Sequence, residues 1–584
     1  MVAALGSIWV ANQLDETVTR LDAATGQAEA TIPVGHGPNG LAATTDVLWV
    51  ANELGDSVAT IDPDTNEVSR TIPIGGTAAS LAANGETVWL AVGASVREHR
   101  GGTLVISSTD PAPASIDPAL AYDAETWRIL TSTNDGLLAF KKVGGPDGAT
   151  LVPDLASALP EVSPDGLTYR VPLREGMVYS TGEPIRPEDF RHAIERSLVL
   201  HQAASLLTTI EGATACTAEN PTECDLSESI VVDESSVTFH LTTPDPELPF
   251  KLAMPFTYPV PMDIPPVDQL LEPVPATGPY VVTEAGPEGV EVARNEAFRE
   301  WSAAAQPDGA VDRISWRFAQ RVTDAYPQLT SGDVDVMISP PAPPDLAELR
   351  SAHPDRIIAS PTPWTLFIGF DTQKPPFDDE RARQAVNFAI DREHVTELLG
   401  GPTIERTTCQ IFPPNFQGYA PFCPFTVDPE SGVWSAPDPG RARQLMDEAG
   451  VAGTKIDVLT TDVLFGPPHS ALETMRYVTE VLKDLGFEPK LEFVRNPTAY
   501  FQRINPPAGG APGTEAGTPR HPHVFMSPWA ADFPAANNFI TPQFACGDAG
   551  SANVFGWCDK ALDERVQRAL LLNSTDPGAA NREW

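Results

Sequence analysis

The sequence predicts two architectures in tandem: an all-β segment of repeated sheets, then a much larger α/β region. Three observations predict this. A forty-residue repeat runs through the first 95 residues, and after about residue 101 its strand-like alternation gives way to strand and helix patterns in turn. The third is size: 584 residues, 42% of them hydrophobic, can bury the cores of more than one domain. The 59 prolines and 43 glycines imply many turns around short elements and argue against a rod or a coiled coil.

The repeat is explicit. IWVAN at 8–12 returns as LWVAN at 48–52 and as VWLAV at 88–92. Asp22 recurs at Asp62, TIP at 31–33 recurs at 71–73, and LAA at 41–43 recurs at 81–83. Forty residues of alternating strands with turn pairs TG and TN fit one four-stranded blade, and the unit resembles the YVTN-type β-propeller repeat. Residues 1–95 hold about two blades and one further strand, which leaves an unprotected edge. Either more blades precede Met1, which is the expectation, or the segment pairs with another surface. The repeat is silent on ligand, because propellers serve many functions.

From residue 101 each element has its own signal. GTLVISS reads as a strand and AETWRIL as helix, while LTYRVPLREGMVYS reads as two short strands around a glycine turn. RPEDFRHAIERSLVLH opens a helix with Pro187 near its first position, acids in the first turn, and Phe190, Ala193, Ile194 and Leu198 on one face. FDDERARQAVNFAIDREHVTELLGG is a helix pair or a kinked helix, opened by Asp378 and closed by Gly400. DPGRARQLMDEAG has Asp438 as cap, Pro439 at the first position and Gly450 as stop. SALETMRYVTEVLKDLGF turns Leu472, Met475, Val478, Leu482 and Leu485 inward and ends at Gly486. Residues 505–523 form a Gly/Pro-rich loop, expected to be mobile.

With 38 basic against 79 acidic residues the net charge is −41, a field that repels phosphate backbones and anionic headgroups, so nucleic acid is not expected as a partner. Met1 is followed by no recognisable secretion signal, and no apolar run approaches the roughly 20 residues of a membrane span. The six cysteines fall as local pairs, Cys216 with Cys224, Cys409 with Cys423, and Cys546 with Cys558. Each pair brackets a short turn-rich segment, which suits loop-stapling disulfides and an oxidising compartment better than six separate thiols or a metal site. There is no Walker GxxxxGK[ST], GxSxG elbow, HExxH or dinucleotide GxGxxG in strand-to-helix context. His521 and His523, the closest histidine pair, sit in the Pro-rich loop and are expected to be solvated. Asp378 and Asp379 have a helix start to cap. No nucleophile, base and oxyanion hole assemble, so neither an enzyme nor a cofactor is expected.

From residue 101 on, the order of segments resembles the family 5 extracellular solute-binding proteins, the peptide, dipeptide and nickel receptors of ABC importers. The resemblance is carried by TLVISSTDPAPASIDPALAYD, by LVPDLASALPEVSPDGLTYRVPLREGMVYSTGEPIRPEDF, and by ATGPYVV and VDRISWRF. It continues through LTSGDVDVM, FDTQKPPFDDERARQAVNFAIDRE, PDPGRARQLMDEAG and PWAADFPAANNFITPQF. It implies a two-lobed α/β periplasmic-binding-protein-like fold of type II, with ligand taken between the lobes. The expected bounds are 1–95 for the propeller segment and 101–584 for the binding domain, with lobe I at about 101–355 and 545–584 and lobe II at about 360–540. The family's closing segment is expected beyond Trp584, so the C-terminus reads as cut.

The resemblance also nominates residues. A peptide's α-amino group costs several kcal/mol to bury unpaired, so a fixed carboxylate must meet it. In family members the acid of a W-x-x-D motif does this, and here Asp532 of PWAADF holds that position with Trp529 as a cavity wall. The sequence departs after Phe533, reading PAANN where many relatives have a second acidic step. Trp364 and Phe367 lie on a strand that the family places beside ligand, though aromatics at strand spacing are core residues as often. Asn134 and Asp135 precede a strand leading from the cleft, where a turn-capping role competes. Gly278 and Tyr280 of ATGPY suit a structural turn. The function implied is peptide capture for an ABC importer's permease subunits, outside the cytoplasm and at the cell surface. The rival is a sensing module without transport, whose propeller docks a protein partner. A sugar, a nickel chelate or an opine is a variant ligand for either.

Overall fold

Forty residues separate Trp9, Trp49 and Trp89, and each lies on the second strand of an antiparallel unit. The computed structural model describes residues 1–13, 16–35, 37–53, 55, 57–74, 78–85, 87–92, 100–200, 204–318, 320–339, 343–353, 356–358, 362–414, 416–461, 470–505, 521–546 and 553–584. Strands β1 (Val2–Ala4), β2 (Ser7–Asn12), β3 (Thr17–Asp22) and β4 (Ala28–Pro33) form one four-stranded meander. Strands β5 (Pro38–Ala43), β6 (Leu48–Asn52), β7 (Ser57–Asp62) and β8 (Glu67–Pro73) form a second, and β9 (Ala78–Asn84) with β10 (Thr87–Val92) a hairpin.

The repeat is physical as well as textual. Trp9 donates its indole N–H to Ala4 O five residues back at 3.1 Å, and Trp49 donates to Thr44 Oγ1 five residues back at 3.4 Å. Asp22 and Asp62 each accept a backbone N–H two residues on, at 3.0 and 2.8 Å, which closes the turn before the last strand of each sheet. Packing of β5 against β2 and of β9 against β5 and β6 buries Trp9, Val18, Ile32, Leu48, Val50 and Ile61. Trp89, in the last repeat, is 55% exposed.

The chain divides into two compact units. The first holds residues 1–243, 248–321 and 327–338, and the second holds 244–247, 322–326 and 339–584. In the first, beyond the meanders, come β11 (Thr103–Ser107), α1 (Ala124–Thr133), β12 (Leu138–Phe140), β13 (Leu151–Pro153), β14 (Glu161–Val162) and β15 (Thr168–Pro172). They are followed by α2 (Pro187–Val199), β16 (Ile230–Asp233), β17 (Ser236–His240), β18 (Tyr280–Gly286), β19 (Gly289–Arg294), β20 (Arg313–Arg317) and β21 (Val336–Met337). One sheet runs β18-β19-β20-β11-β21, with β11 parallel to both its neighbours, and another runs β14-β15-β17-β16, all antiparallel.

Helix α2 follows its sequence signals. Pro187 stands at its first position, Asp189 accepts from Arg186 N at 2.8 Å, and Phe190, Ala193, Ile194 and Leu198 are buried. Each large apolar side chain on that face contributes about 1.5–3 kcal/mol of burial. The second strand expected at GMVYS is absent: Gly176 turns the chain at φ 72°, and Val178 makes only a single bridge to Pro184. Gly278 suits its structural reading, because a Cβ there would stand 2.9 Å from the Thr133 carbonyl carbon.

In the second unit are β22 (Trp364–Phe370), α3 (Glu380–Ala389), α4 (Arg392–Leu398), α5 (Pro439–Ala449), β23 (Lys455–Thr460), α6 (Ser470–Asp484), β24 (Glu488–Phe493) and β25 (Val524–Ala530). They are followed by α7 (Asn537–Phe544), α8 (Lys560–Thr575) and α9 (Pro577–Glu583). The sheet order is β22-β25-β23-β24, which leaves β22 on an edge. Met475, Val478 and Leu482 of α6 pack with Ala442, Leu445 and Met446 of α5 in its core. Asp438 and Gly450 bound α5 as the sequence indicates, the glycine at φ 67°. FDDERARQ to GG is a helix pair, not one kinked helix, because Asp391 caps a second start by accepting from His394 N at 3.1 Å. The first cap is Asp379, one residue after the Asp378 expected.

Residues 545–584, expected with the first lobe, are grouped with the second unit. Gln417 Nε2 donates to Asn573 Oδ1 at 2.8 Å, and Gly418 N donates to Asn581 Oδ1 at 2.7 Å. All six cysteines are paired as expected, with Cα–Cα distances of 4.4, 4.9 and 4.6 Å. The loop from 505 to 523 falls largely on residues 506–520, outside the described residues. Among the described residues no helix is long and apolar enough to cross a membrane, and no group of three or more His, Cys, Asp or Glu is arranged to hold a metal ion.

Candidate functional site

Strand β25 carries Trp529 to the end of the second unit's sheet, and the chain then turns through 531–536 into α7. One side chain organises this turn. Asn538, buried at 5% exposure, accepts from Asp532 N at 2.8 Å and donates from Nδ2 to Asp532 Oδ2 at 3.0 Å. Its own carbonyl accepts the Trp529 indole N–H at 2.7 Å. Beneath lie Phe412, Phe416 and Phe539, the last two edge to face at 5.1 Å, with Ala531 and Ala536 between them and Trp529 packed on the cluster. The half-buried Asp532 carboxylate is therefore positioned in part by a neutral amide. Asn538 belongs to the PAANN departure noted above; an Asn six residues after an Asp carries no local signal that it will fold back.

Trp364 and Phe367 are three apart on β22, an odd spacing that puts them on opposite faces. Trp364 pairs in register with Ala530 and is 37% exposed. Phe367 pairs with Ser527 and shares its face with Thr365 and Trp529, yet its ring lies 5.4 Å from Phe555 and packs on the cluster of Phe525, Tyr500 and Leu459. Gly369 makes room for this cluster, since a Cβ there would stand 2.6 Å from the Phe525 ring.

Asn134 and Asp135 lie in the first unit. Asn134 ends α1, its N–H donating to Leu130 O at 2.7 Å, which is a capping contact. Asp135 is 1% exposed and neither of its oxygens receives a hydrogen bond of good geometry. Pairing of β12 with β13 sets Asp154 at the same end of that hairpin, 2% exposed, its N–H bonded to Leu137 O. Burial pushes the Asp135 carboxyl up to about 7, with the Lys142 charge and polar contacts from Gln306 and Thr277 offsetting part of it. Burial, then the nearby Asp135, raises Asp154 well above the ordinary range.

A carboxyl whose folded pKa exceeds its unfolded value contributes stability below the unfolded pKa and loses it as pH rises through the folded one. The wild-type melting temperature is therefore expected to fall between pH 5 and pH 8. Asp135→Asn is expected to raise it at pH 8 and to flatten part of that slope, as read by thermal melts at the two pH values. A variant less stable at pH 8 than the wild type would show instead that the ionised carboxylate is paired.

His521 corrects the expectation of a solvated loop pair. It is 9% exposed, with Nδ1 3.0 Å from Asp371 Oδ2 and Nε2 3.0 Å from Ile504 O. Burial alone would raise the Asp371 carboxyl, but hydrogen bonds and charge from His521 and Lys374 outweigh it and hold it at about 2. His523 is half-buried, accepts from Asp457 N at 3.0 Å, and is pulled below the usual imidazole range mainly by burial. A polar anchor thus fixes the start of β25, and its signal was obscured by the flanking prolines.

Comparison with known proteins places the chain in a family. Residues 150–551 match the model for bacterial extracellular solute-binding proteins, family 5 Middle. The chain is 25% identical over 508 residues to di/tripeptide-binding protein 2 of Pseudomonas aeruginosa, covering 83% of this chain and 87% of that protein. Among solved structures it is similar to clavulanic acid biosynthesis oligopeptide binding protein 2, with a TM-score of 0.68, 25% identity, and coverage of 84% of this chain and 88% of that one. It shares the fold of the periplasmic binding protein DppA from Helicobacter pylori in complex with peptide STSA, with a TM-score of 0.62, 20% identity, and coverage of 84% and 91%. With more than half its length matched by the family model, the chain belongs to the family 5 bacterial extracellular solute-binding proteins, which bind ligands and do not catalyse reactions.

Proposed function

We propose that this chain captures short peptides outside the cytoplasm and presents them to the permease subunits of an ABC importer. The observation that carries this reading is Asp532, oriented by Asn538 beside Trp529 in a protein of this family. Main-chain pairing supplies affinity that every peptide shares, and a fixed carboxylate answers the α-amino group that every unblocked peptide carries. Relatives named as di/tripeptide- and dipeptide-binding proteins support the same ligand class, and the three disulfides support an oxidising compartment. Trp529 walls the site, Trp364 stands on the neighbouring strand paired with Ala530, and Phe367 acts through the packing on that strand; Asn134 and Asp135 belong to the first unit.

The N-terminal meanders favour a second element. Their repeated Trp bonds and stacked sheets support two blades and a hairpin of a YVTN-type β-propeller, which we assign to docking a protein partner. Mass spectrometry of whatever ligand co-purifies with the chain tests the main reading. Peptides of narrow length are expected. A sugar or a metal chelate would overturn the amine-pairing role of Asp532 and favour a sensing role with a different ligand.

A further inference from the structure

A cavity of about 330 Å³ lies within the second unit, between β22, helices α3 and α4, and residues 405–411. Its walls are largely apolar, with Leu366, Ile368, Val386, Ile390, Ile411 and Phe425 among them. Neither Trp529 nor Asp532 lines it, although Trp364 does. Three charged side chains line this space, Arg392, Glu405 and Arg406, and the first two are of opposite sign and make no ion pair with each other. Arg392, the first residue of α4, donates from Nη1 to Thr408 O at 2.8 Å and from Nη2 to Asn387 Oδ1 at 3.2 Å, both neutral acceptors. Among the described residues no carboxylate pairs with it, and burial pulls its guanidinium below the ordinary value. Glu405 is half-buried, no cation among the described residues pairs with its carboxylate, and burial alone pushes that carboxyl up to about 7.

Burying a single charge is expensive and is tolerated when a partner arrives. One cavity holding an unanswered guanidinium and an unanswered carboxylate asks for an anion and a cation at once, and the apolar walls ask for an apolar body between them. We propose that this cavity is a separate binding site for a small zwitterion with an apolar side chain, its carboxylate on Arg392 and its ammonium on Glu405. The volume suits such a ligand, lying at the low end of small-molecule pockets, about 300–1,000 Å³. The site differs from the Trp529–Asp532 turn in having a charge for each end of the ligand.

The test is calorimetric titration of the full chain with L-leucine and, as a neutral control, N-acetyl-L-leucinamide, in the wild type, Glu405→Gln and Asp532→Asn. Among the described residues the Glu405 side chain makes no hydrogen bond that its amide would lose, so the first variant is expected to keep the fold. L-Leucine is expected to bind the wild type and Asp532→Asn equally, to bind Glu405→Gln at least about tenfold more weakly, and to bind where the neutral control does not. Three results would each overturn the proposal: no binding of millimolar L-leucine to the wild type, equal binding of the neutral control, or binding lost in Asp532→Asn and kept in Glu405→Gln. The last would place the zwitterion at the Trp529–Asp532 turn.

Discussion

Asp532→Asn is expected to weaken binding of an unblocked di- or tripeptide by about 100-fold, the effect of truncating one partner of a buried charge pair. The substitution keeps the shape of the side chain and the hydrogen bond that Oδ2 accepts from Asn538, so the turn into α7 should persist. What it removes is the charge. The signature is selective: an N-acetylated peptide, lacking the ammonium, should bind wild type and variant with the same weak affinity, whereas the unblocked peptide should lose most of its advantage. Calorimetry on the four combinations gives the coupling directly, and equal loss for both ligands would mean that the substitution damaged the cavity instead. Unchanged affinity for the unblocked peptide would remove Asp532 from the site.

The parts legible in the sequence are those set by local chemistry. A forty-residue repeat maps onto successive sheets because each copy carries the same indole donor and the same aspartate turn. Helix α5 starts at Asp438 and stops at Gly450 because capping and a left-handed φ are decided by neighbours in the chain. The cysteine pairs are close in sequence and needed no long-range information. What stayed hidden depends on residues brought together from afar. His521 reads as loop beside its prolines, yet Asp371, 150 residues earlier, buries it. Trp364 and Phe367 look like one aromatic wall until strand periodicity separates them. Asn538 becomes visible as the organiser of Asp532 only when α7 folds back, and Glu405 and Arg392 become a pair of interest only once a cavity contains both.

The largest expected effect on stability lies at the other end of the chain. Arg196 on α2, 1% exposed, grips Asp117, 0% exposed, with both terminal nitrogens at 3.1 and 2.7 Å. Nothing in IDPAL marks Asp117 as more than a turn former, and it does cap that turn by accepting from Ala119 N at 3.0 Å. It also accepts from Gln269 N at 3.1 Å, while Arg196 donates from Nε to Pro265 O at 2.9 Å, so one ion pair ties α2, the 117–120 turn and the 265–269 loop together. Removing one partner strands the other charge out of water. Asp117→Ala is therefore expected to cost about 3–5 kcal/mol, or on the order of 10 °C in melting temperature. A well-packed apolar replacement of both charges is less damaging than the loss of one. The double variant Asp117→Ala with Arg196→Met should accordingly recover part of that loss, despite the missing cap. Thermal melts of the two single variants and the double measure this coupling. Additive losses would show that the pair contributes only through its separate backbone contacts; partial recovery would show that the stranded guanidinium, not the missing turn bond, is what unfolds the first unit.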